Sequence, residues 1–257
     1  MTDPLRTPER IAFAGDWHMN RDWAADAIGY AREQGADVVI QLGDFGYTFD
    51  ARFMKTCENA ARLAGISLLF VDGNHECFPT LLRYPIRENG LRQLTSRVWH
   101  LPRGARWTWG ELRFLALGGA HSVDRRWRTP GADWWREETI SAPEAMRAVA
   151  GGPADVMVTH DCPAGVDLGL PEPGRSPFPE VEIRAANQHR ALLRSVVDEV
   201  QPRFLWHGHY HEHAHRSTVD LGYGPVEVTG LDCDGSRMER NVQLVDLAEL
   251  HSVVHHR

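Results

Sequence analysis

The sequence contains little cysteine, and its cysteines are not arranged to cross-link the chain or to chelate a metal. Four cysteines are scattered along 257 residues, and none of them forms a Cys-x-x-Cys pair. A zinc knuckle and a disulfide framework are therefore not expected, and a reducing compartment is the default. We expect a cytoplasmic protein.

Long apolar runs and an excess of positive charge are also missing. No stretch approaches the roughly 18–20 apolar residues of a membrane span, and segment 1–10 lacks the apolar core of a signal peptide, so no membrane partner is expected. The formal net charge of −7 disfavours a protein that holds nucleic acid by charge alone. A nuclease is not excluded, because bound cations would reverse the sign locally.

The composition is that of an ordinary globular chain, with 42% hydrophobic and 25% charged residues. Short aliphatic runs recur, each followed by glycine or polar turn residues, as in strands buried on both faces. These predicted strands are Ile11–Gly15, Val38–Gly43, Ile66–Gly73, Leu112–Gly118, Asp155–Thr159 and Phe204–Gly208.

Helical patterns separate the early strands and recur near the end of the chain. Helices are predicted over Arg21–Gln34, Ala51–Ala64 and Ala185–Val200. The first two complete a β-α-β-α-β series at the spacing of βαβ crossover units. Three later segments predict antiparallel strands, namely His213–Leu221, Pro225–Thr229 and Asn241–Leu247. We find no repeat and no long linker, so we predict one α/β domain over residues 1–257 with an Arg/Trp-rich insert at about 119–140.

Polar side chains that can bind metals follow five of the predicted strands. The five blocks are GDWH (Gly15–His18), GDFG (Gly43–Gly46), GNHE (Gly73–Glu76), TH (Thr159–His160) and GHYH (Gly208–His211). Ligands of open α/β sheets bind beyond the carboxyl ends of the strands, so these side chains are expected to converge. Any one block is common in proteins, whereas five in order at strand ends are hard to obtain by accident.

This series resembles the five-block signature of the calcineurin-like metallophosphoesterase family, and the resemblance extends over nearly the whole chain. It implies a four-layer sandwich, in which two mixed β-sheets face each other and α-helices flank them. It also implies a dinuclear metal centre in which Asp44 bridges the two ions and His75 faces the substrate as a catalytic residue. The remaining ligands would be Asp16, His18 and His211 for one metal, and Asn74, His160 and His209 for the other.

The residue types suit that chemistry. Imidazole is a ligand for Zn, Fe, Mn or Ni, and carboxylates suit Mn and harder ions, so two Mn²⁺ ions are expected, with Fe, Zn or Ni as alternatives. Two ions roughly 3.5–4 Å apart lower the pKa of a shared water, and the metal-bridging hydroxide attacks phosphorus. His75 would stabilise the transition state or protonate the leaving alkoxide.

The register of the histidine tract is left open by the sequence. On a strand, alternating histidines would all share one face, and five of them alternate here: His207, His209, His211, His213 and His215. We choose His209 and His211 because Gly208 precedes them as it does in the family's block. The alternative is a histidine-rich tract without function, or an adventitious metal site.

The insert offers a candidate substrate-binding surface. Arginine forks clamp phosphate oxygens and indole rings stack on bases, so we predict that His121, Arg125 and Arg126 bind substrate. The alternative is a surface excursion or a subunit contact.

The second block, GDFG, lacks the arginine of the GDxVDRG block in the protein Ser/Thr phosphatase branch, which disfavours a protein phosphatase.

Three functions follow from these observations. The first is a metal-dependent phosphoesterase acting on a phosphomonoester or phosphodiester, with a nucleotide-like substrate favoured and no stable nucleic-acid partner. The second is a nuclease acting on DNA or RNA ends, which would need an electropositive track. The third is a non-catalytic scaffold that keeps the metals in order to bind a partner.

Overall fold

Two β-sheets and their flanking helices make up the computed structural model, which describes residues 3–170, 175–211 and 215–255. The strands are β1 (Arg10–Ala14), β2 (Val38–Gln41), β3 (Ser67–Phe70), β4 (Arg92–Gln93), β5 (Val98–His100), β6 (Arg106–Trp109), β7 (Leu112–Leu117), β8 (Val156–Thr159), β9 (Phe204–His207), β10 (His215–Asp220), β11 (Pro225–Gly230) and β12 (Val242–Asp246). The helices are α1 (Arg21–Glu33), α2 (Ala51–Ala64), α3 (Phe78–Leu81), α4 (Ala142–Ala150), α5 (Glu180–Val200), α6 (Met238–Asn241) and α7 (Leu247–His255).

Both sheets are mixed and have six strands. The first has the order β12-β1-β2-β3-β5-β4 and the second the order β10-β11-β9-β8-β7-β6. In each sheet the four central strands are parallel and the two edge strands are antiparallel to their neighbours. The carboxyl ends of β1, β2 and β3 therefore share one edge of the first sheet, and those of β8 and β9 share one edge of the second.

Three apolar layers hold the elements together. The central layer lies between the sheets, where the rings of Phe13 and Trp206 stack with centroids 4.1 Å apart. A second layer packs α1 and α2 on the outer face of the first sheet, and a third packs α4 and α5 on the outer face of the second. This arrangement confirms the predicted four-layer sandwich.

The local signals in the sequence explain several of these elements. Helix α2 begins after Asp50, whose side chain accepts hydrogen bonds from the backbone N–H groups of Arg52 and Phe53. It ends at Gly65, which adopts the left-handed conformation with φ of 73°. Helix α1 spans nearly the predicted range, whereas α5 begins at Glu180, before the predicted start at Ala185.

The prediction of antiparallel strands near the end of the chain is wrong in part for one of the three, β11. Strand β10 is antiparallel to β11, as expected, but β11 runs parallel to β9. Strand β12 joins the other sheet, where it is antiparallel to β1. Side-chain alternation shows only that one face is exposed, and it does not identify the neighbouring strand.

The insert contains little regular structure. Two short 3₁₀ turns, over Arg125–Trp127 and Arg136–Glu138, are its helical segments. Within the described ranges, no helix combines the length and the apolar character that crossing a bilayer requires.

Candidate metal centre

The structure brings the strand-end side chains together in two adjacent groups. Asp16, His18 and His211 form one group, and Asp44, His160 and His209 form the other; within each group the potential ligand atoms lie within 4.8 Å of one another. Each group combines side chains from both sheets. The seventh predicted ligand, Asn74, joins the second group through its Oδ1, which lies 3.0 Å from His160 Nε2.

Two glycines in these blocks have no room for a side chain, because a candidate ligand carboxylate occupies the position that a Cβ would take. A Cβ added to Gly208 would lie 2.1 Å from Asp16 Oδ1, and one added to Gly73 would lie 2.2 Å from Asp44 Oδ1. Both distances are far inside van der Waals contact. The two backbones can therefore approach the carboxylates only without a side chain.

Four of the candidate ligands adopt a backbone conformation that non-glycine residues rarely take. Their φ angles are 45° for His18, 53° for Asp44, 69° for His209 and 41° for His211. Such conformations cost of order 1–3 kcal/mol each and cluster at functional sites. They also show why alternation fails in the histidine tract: the strand ends at His207, and the chain then turns.

Hydrogen bonds fix which imidazole nitrogen faces the centre. His18 directs Nδ1 to Asp234 Oδ1 at 2.7 Å, and His160 donates from Nδ1 to the carbonyl oxygen of Leu42 at 2.7 Å. In each case Nε2 is left to face the carboxylates, as in histidines that bind metals through Nε2. Asp234 was not predicted from the sequence, because it lies 216 residues from His18 in the chain and in no block.

The carboxylate of Asp44 lies between the two groups. Its Oδ2 is 3.7 Å from His18 Nε2, and its Oδ1 is 3.5 Å from His160 Nε2. Asp44 Oδ1 also accepts hydrogen bonds from the backbone N–H groups of Asn74 and His75. One oxygen therefore faces each group, which is the geometry that a bridging ligand requires.

The centre carries a strong negative field. Burial opposes the charge of Asp44, but His160 and His75 beside it hold the pKa of that carboxyl well below its usual range. Burial likewise opposes the charge of His160, and the carboxylates of Asp44 and Asp16 outweigh it and raise the pKa of His160 to about 10. A field that favours buried imidazolium also favours metal cations, so the residues present fit a pair of divalent ions.

His75 lies beside this centre and is half-buried. Its Nε2 is 3.9 Å from Asp44 Oδ2, and its ring is 5.2 Å from that of Tyr47. Burial and the neighbouring guanidinium of Arg128 hold the pKa of His75 below its ordinary value, against the opposite effect of Asp44.

His207 and His215 belong to neither of the two groups. His207 is the last residue of β9; it is fully buried, and its ring is 5.2 Å from that of His215. His213 lies outside the described residues. Burial lowers the pKa of His207 to about 3, so this histidine is a neutral core residue.

Two of the three predicted substrate-binding residues, His121 and Arg125, line a cavity of about 760 Å³ between the insert and α5, and Arg126 does not. His121, Arg125, Trp134 and Trp135 line part of it. His121 Nε2 contacts Glu182 Oε2 at 2.8 Å, and the guanidinium of Arg125 lies 4.1 Å from the ring centroid of Trp134. The side chain of Arg126 is exposed.

A different arginine of the insert reaches the centre. Arg128 donates from Nη2 to Nδ1 of His75 and from Nη1 to Glu138 and Ser122. The sequence gave no reason to prefer Arg128 over Arg125 or Arg126, because the insert has no periodicity that would indicate which way each side chain points.

A third group of potential ligands lies on the surface, away from these residues. Glu111, His251 and His255 form it, and His251 Nε2 contacts Glu111 Oε2 at 2.7 Å. Glu111 and His255 are exposed, so this group lacks the buried carboxylates of the other two.

Comparisons with known proteins identify the family and the fold. A family profile described as calcineurin-like phosphoesterase matches residues 9–213. Among solved structures, a dimetal phosphatase from Danio rerio is similar with a TM-score of 0.53 and 15% identity, covering 95% of this chain and 93% of that chain. The protein TT1561 of Thermus thermophilus has a TM-score of 0.52 and 13% identity, covering 93% of this chain and 99% of that chain.

At such low identity the structural likeness concerns the fold, while the profile identifies the family. A search of the curated proteins finds no match. The profile covers about four-fifths of the chain, and its bounds include all of the predicted ligands together with His75. The chain therefore belongs to the calcineurin-like phosphoesterase family and is a metal-dependent phosphoric ester hydrolase.

Proposed function

We propose that the protein hydrolyses a small phosphoester, with a nucleotide-like phosphodiester favoured, at a pair of Mn²⁺ ions. The observation that supports this most directly is the pair of ligand groups with one oxygen of Asp44 facing each. In this proposal Asp16, His18 and His211 would hold one ion, Asn74, His160 and His209 would hold the other, and Asp44 would contribute to both sites. The ions would supply charge neutralisation for the phosphoryl oxygens and an acidified water as nucleophile.

The side chains of the chain have separate tasks in this reaction. Asp234 and the carbonyl of Leu42 hold His18 and His160 in the tautomer that leaves Nε2 free for a metal. His75 directs Nε2 towards the centre, where it can donate a proton to the leaving oxygen of the substrate. No protein nucleophile is required, so no phosphoenzyme is expected.

The preference for a nucleotide-like substrate rests on the cavity beside the insert. Its lining combines two indole rings with the guanidinium of Arg125, and Glu138 connects it to the hydrogen bonds around His75. Stacking on aromatic side chains is worth about 1–3 kcal/mol per base. We therefore propose His121 and Arg125 as contacts of the part of the substrate that does not react, and the exposed Arg126 as a phosphate contact.

Paired chromogenic substrates test the proposal. The Mn²⁺-loaded protein should hydrolyse a nitrophenyl phosphodiester or monoester, and Asp44→Asn should lose most of that activity together with bound metal. The matched control is Asp22→Asn, an exposed aspartate on α1. Absence of hydrolysis with Mn²⁺, Ni²⁺, Zn²⁺ and Fe²⁺ would refute the proposed activity and favour the scaffold.

A second assay separates small substrates from nucleic acid. Cleavage of DNA or RNA ends on a gel, with binding that weakens steeply as salt rises, would favour the nuclease. Hydrolysis of nucleotide diesters without cleavage of polymers would favour the proposed substrate class.

Elemental analysis should be repeated on His251→Ala, so that metal held by the surface group is not counted in the centre.

A further inference from the structure

Among the described residues of the insert, Arg128 is the arginine that contacts the centre, and its side chain is only 9% exposed. Its Nη2 donates to Nδ1 of His75. Its Nη1 lies 3.0 Å from Glu138 Oε1 and 2.8 Å from Ser122 Oγ. A guanidinium so deeply placed is held by its partners and does not sample solvent as a surface arginine does.

The protons of this cluster can be assigned from the donors alone. Arg128 and the amide nitrogen of Asn74 both donate to Ser122 Oγ, at 2.8 and 3.0 Å, and neither nitrogen can accept. The hydroxyl of Ser122 therefore accepts twice, and its own proton goes to Glu138 Oε2 at 2.5 Å. Both oxygens of the buried Glu138 side chain therefore accept, Oε1 from Arg128 and Oε2 from Ser122.

The same reasoning fixes the tautomer of His75. A guanidinium only donates and stays charged, so Nδ1 of His75 must carry a lone pair. The proton of the neutral ring is then on Nε2, the nitrogen that lies 3.9 Å from Asp44 Oδ2. A histidine that protonates a leaving oxygen at the centre needs its proton on that nitrogen.

We propose that Arg128 is a positioning residue, which holds His75 with its proton on Nε2 towards the metal centre and is itself held by Glu138 and Ser122. The proposal rests on the proposed function, because it assumes that His75 donates a proton to the leaving group. It gives Arg128 a role in the reaction that differs from that of Arg125, whose guanidinium stacks on Trp134.

A series of leaving groups tests the proposal. An alkoxide needs a proton in order to leave and a nitrophenolate does not, so Arg128→Met should lower kcat by about 10²-fold for an alkyl ester and much less for a nitrophenyl ester, with KM nearly unchanged. Arg128→Lys keeps one donor and should recover part of the loss. Arg147→Gln, on the exposed face of α4, is the matched control.

Two further variants guard against a trivial loss of folding. Glu138→Gln keeps Arg128 but removes the carboxylate, and it should show the same dependence on the leaving group at smaller size. Arg128→Met placed in a His75→Asn background should lower kcat no further, because the two substitutions remove the same proton donation. Equal losses for both leaving groups, or additive losses in the double variant, would overturn the proposal.

A spectroscopic measurement separates this inference from the function on which it rests. In the Zn²⁺-loaded protein, the ring ¹⁵N resonances of His75 should report a proton on Nε2. Arg128→Met should shift that proton towards Nδ1, and Arg128→Lys, which still donates to Nδ1, should shift it less. Full activity of His75→Asn would refute the proposed role of His75, whatever the tautomer. An impaired His75→Asn together with a wild-type tautomer and rate in the Arg128 variants would refute the inference alone.

Discussion

At the scale of single residues, the space around the carboxylates decides which side chains the blocks can contain. Gly208 is in contact with Asp16, and an added Cβ would lie 2.1 Å from its Oδ1. We expect Gly208→Ala to displace Asp16 or the adjoining backbone, to destabilise the fold by about 1–3 kcal/mol and to lower bound metal. Urea unfolding and elemental analysis measure the two effects.

The control for that substitution is a glycine with free space around it. Gly29 lies inside α1, and a Cβ added there meets no atom within 4 Å. Gly29→Ala should stabilise the protein by about 0.5–1 kcal/mol, because alanine favours the helix. If Gly208→Ala behaves like Gly29→Ala, the expectation of close packing at Asp16 is wrong.

Asp72, directly before the third block, has a structural task that the sequence did not define. Its carboxylate pairs with His100 at 2.9 Å and with the buried guanidinium of Arg103. Burial opposes its charge, but Arg103 and His100 hold the pKa of Asp72 well below its ordinary value. It therefore ties the end of β3 to β5 and, through Arg103, to Glu144 on α4.

Asp72→Asn should cost about 3 kcal/mol at neutral pH, because it leaves Arg103 without its main counter-charge while the Glu144 contact remains. The folded-state pKa is depressed, so the stabilisation is complete above the ordinary value of 3.8 and is lost as pH falls through the lower folded value. Urea midpoints at pH 7 and at decreasing pH should show the difference between wild type and variant shrinking below about pH 4. A difference under about 1 kcal/mol at pH 7 would contradict the pairing.

At the scale of elements, helix α2 depends on the residue that caps its start. Asp50 Oδ1 accepts from the backbone N–H groups of Arg52 at 2.7 Å and Phe53 at 3.1 Å. Asp50→Ala should cost about 1 kcal/mol by leaving two N–H groups without this acceptor. Asp50→Asn retains an acceptor oxygen and should be close to wild type in thermal melts; equal losses in both variants would mean that charge, and not capping, stabilises the start of α2.

Strands and their ends were predictable because the signal is local. An aliphatic run followed by glycine and a polar residue marks β1, β2, β3, β8 and β9 without knowledge of distant contacts. Helix α4 was not predicted, although Ser141 and Glu144 form a capping box at its start. Asp234 and Arg128 were also missed, because their roles depend on partners far along the chain.

The histidine tract shows a different limit of prediction from sequence. Alternating residues share one face only while the chain stays extended. Here strand β9 ends at His207, so the alternation no longer predicts which way the later histidines point. His209 and His211 then face the centre from left-handed backbone positions, which no periodicity indicates. Their choice from the sequence depended on Gly208 and the family's block, and their role as ligands stays a prediction.

At the scale of the whole molecule, the centre joins the two halves of the sandwich. Asp16, His18, Asp44 and Asn74 follow strands of the first sheet, whereas His160, His209 and His211 follow strands of the second. Each of the two ligand groups of the centre contains residues from both sheets. A bound ion would therefore resist separation of the sheets as well as supply chemistry.

This arrangement predicts that metal binding and folding stability are coupled. An ion that binds only the folded chain stabilises it by about 1.4 kcal/mol for each tenfold rise in free metal above its Kd. Urea midpoints in buffered Mn²⁺ should rise accordingly, and chelation should lower them. Asp44→Asn should respond much less, because it weakens both groups, while His251→Ala should respond like wild type, because His251 belongs to the surface group. A response lost in His251→Ala and kept in Asp44→Asn would place the stabilising metal at the surface, away from the sheets.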